Sequence, residues 1–186
     1  MSTTANTLSW TWYLLSQHPE VEHRFHQELA VVLDQRIPTV ADLPQLSYTR
    51  MVIEESMRLY PPSWVISRNA VNADEIGGYV IPAHAPLLLL PYITHRHPAF
   101  WEEPERFNPE RFTPERVAAR PRYAYVPFGG GPRQCIGNVF AMTEAQLILA
   151  TVAQQYCLEL VPGQEVSPEP LITLRPKQLL MRVQQR

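Results

Sequence analysis

The sequence is short of cysteine, of surplus positive charge and of long apolar runs, and each shortage removes a class of protein. Two cysteines among 186 residues, Cys135 and Cys157, can build neither a disulfide framework nor a four-thiolate zinc site. Lys and Arg number 16 against 18 Asp and Glu, a net charge of -2; nucleic acid as main partner would need a basic surplus. The longest apolar run, Ala85 to Ile93, is too short to span a bilayer and contains Pro86 and Pro91. Met1 to Asn6 is polar, without a secretory-signal pattern, so the expected compartment is the cytoplasm. What is plentiful is apolar content, at 45%, enough for a core and against disorder. Proline is plentiful too, at 19 residues, about twice average usage.

The prolines punctuate the chain. Residues 3–17 lack Pro and Gly and place Ala5, Leu8, Trp12 and Leu15 on one helical face. Pro19 suits the first turn of a second helix reaching Leu33, with Val21, Phe25, Leu29 and Val32 as its stripe. A third helix is expected from Ser47, a plausible cap, to Leu59, where Pro61-Pro62 stops it. Residues 63–93 read as a small antiparallel sheet of short β-like runs. Residues 94–127 carry Pro98, Pro104, Pro109, Pro114, Pro121 and Pro127 with little periodicity, which marks a functional irregular stretch. A fourth helix over 137–155 is apolar nearly all round and is expected to be buried. Strand-like pieces follow around Leu158–Val161, Leu171–Leu174 and Leu179–Val183. The fold class is mainly α with a minor β-sheet.

Cys135 is the sharpest feature. Residues 128–137 read FGGGPRQCIG, immediately before the fourth helix. A cysteine there faces unpaired backbone N–H groups and the positive end of the helix dipole, and both stabilise a thiolate. Arg133 adds positive charge. Gly129, Gly130, Gly131 and Gly137 remove bulk, so something flat or large can approach the backbone. A lone cysteine is ordinarily a buried packing residue; the helix start, the arginine and four glycines together reverse that weighting. Cys157 is expected to pack. The six histidines show no metal-ligand spacing, and no His–acid pair stands ready to activate Cys135 as a hydrolase nucleophile.

The pattern Phe-x-x-Gly-x-Arg-x-Cys-x-Gly, met by Phe128, Gly131, Arg133, Cys135 and Gly137, resembles the heme-binding loop of the cytochromes P-450. The resemblance implies heme b as cofactor, with the Cys135 thiolate as the axial iron ligand favouring O–O cleavage. It makes Arg133 a partner for a heme propionate and Phe128 a shield for the sulfur. Arg68 resembles a second propionate-binding arginine; an ordinary strand-edge arginine is the other reading. Glu55 and Arg58, with Leu59-Tyr60-Pro61-Pro62 after them, resemble the family's Glu-x-x-Arg helix, and residues 94–127 its meander. There Pro109-Glu110-Arg111-Phe112 implies that Arg111 completes a buried triad with Glu55 and Arg58. Pro104-Glu105-Arg106-Phe107 repeats the same letters and leaves Arg106 as the alternative.

Residues 3–17 resemble the remnant of the family's distal helix. Thr3 falls on its oxygen-activating threonine, and Ser2 on the acidic position before it. Family members run to more than twice this length, so the 186 residues resemble the C-terminal portion of the fold. The implied activity is a heme-thiolate monooxygenase inserting one oxygen atom of O2 into a small organic substrate. Its electrons would come from a ferredoxin- or flavin-type reductase, and another chain would supply the N-terminal half; a membrane anchor would sit in that half. The alternative is an inactive remnant or split-gene half acting as a partner-dependent heme- or protein-binding module. With the other half absent, the Trp10–Trp12 helix and the fourth helix are both expected to expose apolar patches.

Overall fold

The computed structural model describes residues 3–186; Met1 and Ser2, with the acidic-position reading of Ser2, lie outside the described residues. Helices α1 (Thr3–Gln17), α2 (Pro19–Leu33) and α3 (Ser47–Leu59) come first. Strands β1 (Ile66–Asn69), β2 (Asp74–Ile76), β3 (Tyr79–Ile81) and β4 (Pro86–Leu89) follow. Two short helices, α4 (Pro91–Thr94) and α5 (Pro114–Ala119), flank a proline-rich stretch with a 3-10 turn at Pro109–Phe112. The long α6 (Asn138–Gln155) leads into β5 (Tyr156–Leu160), β6 (Ser167–Pro170), β7 (Leu174–Lys177) and β8 (Met181–Gln185). No helix among the described residues is long and apolar enough to cross a membrane.

The helix boundaries follow the punctuation. Pro19 sits in the first turn of α2, where its missing N–H costs nothing. Helix α3 starts at Ser47, but Ser47 is not its cap: the N-cap position is Leu46, with no capping side chain of its own. The Glu28 carboxylate on α2 reaches across instead. It accepts from the Tyr48 and Thr49 amides at 2.6 and 2.8 Å and from the Thr49 hydroxyl at 2.7 Å. An anion at a helix N-terminus also meets the positive end of the dipole. One side chain thereby caps α3 and ties it to α2.

The core lies where α1, α2, α3 and α6 pack together, with Leu15, Phe25, Leu29, Val52, Ile53 and Leu149 buried. Trp10 and Trp12 are buried as well, which corrects the expectation of an exposed patch on α1. Trp10 stacks on Tyr60 with centroids 3.7 Å apart, and its indole N–H donates to the Leu174 carbonyl on β7 at 3.3 Å. The C-terminal strands supply the cover. Helix α6 departs from its expected burial. From its third turn on it buries Ala145, Leu149, Ala150 and Ala153, but Val139 and Phe140 are 74% and 71% exposed. The outer face of its first turn is therefore open, while Met142 one turn on packs against the core.

The expected single sheet over 63–93 is two separate antiparallel pairs, β1 with β4 and β2 with β3. The β2–β3 hairpin turns on Gly77 and Gly78, both at positive φ, which the tight primed turn of a two-residue hairpin requires. In the C-terminal region β5 pairs with β8 and β6 with β7. Leu171–Thr173, expected within a strand, forms the β6–β7 connection instead. The strand before it contains Pro168 and Pro170, which conceal strand character in sequence.

Candidate functional site

Helix α3 places Glu55 and Arg58 one turn apart on its innermost face, both fully buried. Arg58 clamps the carboxylate with two parallel bonds, Nε to Oε2 at 2.6 Å and Nη2 to Oε1 at 2.8 Å. Its remaining donors collect backbone carbonyls from the proline-rich stretch: His95 at 2.8 Å, Pro104 at 2.7 Å and Arg106 at 3.1 Å. Glu55 also accepts from the Asn108 amide at 2.9 Å. A chain segment with almost no regular structure is held by one ion pair, because its carbonyls and amides find their partners there.

The structure brings Arg111, not Arg106, to this pair. Arg111 Nε lies 3.4 Å from Glu55 Oε1, and its Nη2 donates to the Glu103 carbonyl at 2.9 Å. The Arg106 side chain is 64% exposed and pairs with Glu103. Two residues unassigned in the sequence complete the cluster. Arg120 lies over the rings of Trp101 and Phe112 at 4.2 and 4.6 Å and donates to the Arg111 carbonyl. His95 is fully buried; its carbonyl accepts from Arg58 while its Nε2 accepts from the Val126 amide at 2.9 Å. Burial, reinforced by the Arg58 charge, holds His95 down to about 3, so its ring is neutral. Burial pushes Glu55 upward, opposed by its bonds from Arg58. Tyr125 donates to the Glu54 carbonyl at 2.9 Å, and desolvation beside Glu54 and Glu55 pushes its phenol well up.

Val126 and Tyr125 lead directly into the cysteine loop. There the chain makes a tight return: Gly129 and Gly131 both take positive φ, near 72° and 70°, which L side chains adopt only with strain. The Cys135 amide donates to the Phe128 carbonyl at 3.0 Å, closing the loop. The Cys135 side chain is exposed, three residues before the first residue of α6. Gly137 is the N-cap, and a Cβ there would meet the Cys135 sulfur at 3.9 Å.

A cavity of about 640 Å³ opens onto this sulfur, within the roughly 300–1,000 Å³ of small-molecule sites. It gathers Thr3 from α1, Arg68 from β1, and Phe128, Arg133, Cys135 and Gly137 from the loop. Gly131 does not line it. Its walls are mostly apolar, from Ile53, Val65, Ile66, Phe140, Ala141 and Ala145, with Thr4, Thr7, Ser63 and Glu144 also on the lining. Arg68 bonds only the Ser67 carbonyl, and neither Arg68 nor Arg133 forms an ion pair among the described residues. A second cavity, about 670 Å³, lies against Glu54, Met57, Tyr125 and Met142 and shares Phe128 and Gly129 with the first, but holds no thiol. The donor set of the first cavity fits a flat apolar macrocycle with a thiophilic metal and two carboxylates.

The comparisons with known proteins agree on one family. Residues 1–183 match the family model described as Cytochrome P450. The chain is 41% identical over 174 residues to cyclooctatin synthase of Streptomyces melanosporofaciens, which covers 94% of this chain and 38% of that protein. It is 46% identical over 161 residues to cyclooctat-9-en-7-ol 5-monooxygenase of the same organism, covering 87% and 35%. The crystal structure of the cytochrome P450DA heme domain superimposes with a TM-score of 0.94 at 32% identity, over 99% of this chain and 41% of that one. The chain thus spans about two fifths of the length of the relatives it matches.

Proposed function

The chain belongs to the cytochrome P450 family, and from that premise we propose that it carries the cysteine-bearing part of a heme-thiolate monooxygenase acting on a small organic substrate. The observation that supports this reading is a single cavity shared by one exposed thiol, two guanidiniums that form no ion pair among the described residues, and mostly apolar walls. Cys135 would hold iron through its sulfur, Arg68 and Arg133 the two propionates, and Phe128 would limit water at the sulfur. When bound, heme b supplies the O2 chemistry that places one oxygen atom in the substrate and releases the other as water, using two electrons from a reductase of ferredoxin or flavin type. The loop glycines keep the wall beside Cys135 free of side chains. The Glu55–Arg58–Arg111 cluster, through His95 and Val126, fixes the irregular segment entering the loop. Thr3, on α1 at the cavity wall, offers the hydroxyl expected to bind dioxygen and hold a proton.

Reduction under carbon monoxide tests the ligand. The heme-loaded chain should show the red-shifted Soret band of a thiolate-bound ferrous complex, and Cys135→Ser and Cys135→His should lose it. A band that survives Cys135→Ser places iron elsewhere and rejects the reading. A second reading, a heme- or protein-binding module that works only with a covering partner, is favoured by the exposed Phe140 on the wall of this cavity and by the exposed Ile136 and Val139 near it in the chain. Under it, the chain takes up heme only when the N-terminal part of a P450 is added in trans.

A further inference from the structure

Away from the cysteine loop, α2 and β5 bring three metal-ligating side chains together. Glu22 and His26 lie one turn apart on the same face of α2, and Cys157 comes from β5. One ligand atom of each lies within 4.8 Å of the other two. Cys157 Sγ is 3.1 Å from Glu22 Oε1, and that oxygen is 3.8 Å from His26 Nε2. Two metal bonds of about 2.0–2.3 Å meeting at a tetrahedral angle set ligand atoms roughly 3.3–3.8 Å apart. The cluster therefore needs only small adjustment to close on an ion.

A second observation points to a ligand. His26 is 8% exposed, and among the described residues its Nε2, facing the cluster, has no hydrogen-bond partner. A buried ring nitrogen left without one is costly. The bond from Cys157 to Glu22 satisfies the thiol and one carboxylate oxygen but leaves that nitrogen unpartnered among the described residues. We propose that Glu22, His26 and Cys157 bind a divalent cation of the zinc class. One oxygen, one nitrogen and one sulfur ligand suit zinc, with the fourth position open to water.

Arg186 guards the site. Its Nη1 lies 2.7 Å from His26 Nδ1. A guanidinium only donates, so Nδ1 accepts and Nε2 carries the ring proton in this arrangement. Metal entry shifts that proton to Nδ1 and requires the exposed Arg186 to withdraw. It also releases the Cys157 proton to solvent; burial and the bond to Glu22 hold that thiol up at about 11, so the metal must outcompete a firmly held proton.

Cobalt(II), a spectroscopic stand-in for zinc, tests the assignment. The full chain should take up one equivalent, show a thiolate-to-cobalt charge-transfer band with the intense visible bands of tetrahedral geometry, and lose both on adding zinc. Cys157→Ser should abolish the charge-transfer band, His26→Ala should weaken binding at least about tenfold, and Cys135→Ser should leave the band in place. Arg186→Ala should tighten binding severalfold. The absence of the band in folded chain, or a band lost with Cys135→Ser and kept with Cys157→Ser, overturns the proposal. Should Cys157→Ser not fold, Arg186→Ala decides: unchanged cobalt affinity at that exposed position overturns it equally.

Discussion

Glu55→Gln keeps the shape of a fully buried side chain and removes its charge. In the wild type one carboxylate faces Arg58 at 2.6 and 2.8 Å and Arg111 at 3.4 Å. The variant leaves two guanidiniums in the same buried space with no anion between them, and the amide turns a donor toward at least one of them. Breaking a buried pair from one side costs roughly 3–5 kcal/mol. The three carbonyls that remain on Arg58 place the expected loss toward the lower half of that range. With a urea slope of roughly 2 kcal/mol per molar, the unfolding midpoint should fall by about 1.5–2 M. Arg111→Met should move it in the same direction, while Arg106→Ala, at an exposed side chain, should stay within about 0.5 kcal/mol. Fluorescence-monitored urea unfolding of the three variants measures this. A Glu55→Gln midpoint within about 0.3 M of wild type would show that the cluster is solvated, and equal losses at Arg106 and Arg111 would refute the assignment of Arg111.

Three further outcomes follow from the same geometry. His95 is neutral in the fold, with a value about 3, against about 6.5 when unfolded. The unfolded chain therefore binds the extra proton, and stability present above about pH 6.5 is lost toward pH 3 at roughly 1 kcal/mol per unit; His95→Gln should flatten that slope in urea titrations at stepped pH. Glu28→Ala removes the acceptor of two α3 amides and should cost about 1–2 kcal/mol, while Ser47→Ala should cost under about 0.5 kcal/mol; thermal unfolding of both separates the two capping accounts. Gly131→Ala meets no neighbour but sits at φ +70°, so it should cost about 1 kcal/mol through backbone strain alone, read as a shift in unfolding midpoint.

The long helices were legible because prolines stop and start them. Pro19 and Pro61-Pro62 act through local backbone sterics, which a sequence displays directly. The cysteine loop was legible for a similar reason, since its glycines, arginine and thiol sit within ten residues. Trp10 was not. Its cover is Tyr60 and a carbonyl 164 positions away, and no periodicity reports such a partner. Arg106 and Arg111 stand in the same four-letter context, and only the path of the proline-rich stretch over α3 separates them. Local spacing points to the nearby hydroxyl of Ser47 as the cap of α3, whereas Glu28 reaches that helix end from a neighbouring helix. The exposed first turn of α6 illustrates the same limit: apolar composition states what a surface prefers, not whether this chain provides it.

His95 joins two tasks on one residue: its main chain is gripped by the arginine of α3, and its ring holds the amide of Val126 at the doorway of the cysteine loop. Melting of the charge cluster must therefore release that amide too. Deuterium uptake at Val126 becomes a gauge of the buried ions, readable in protein that has never met a porphyrin, and the loop can be only as persistent as the arginine's hold upstream of it.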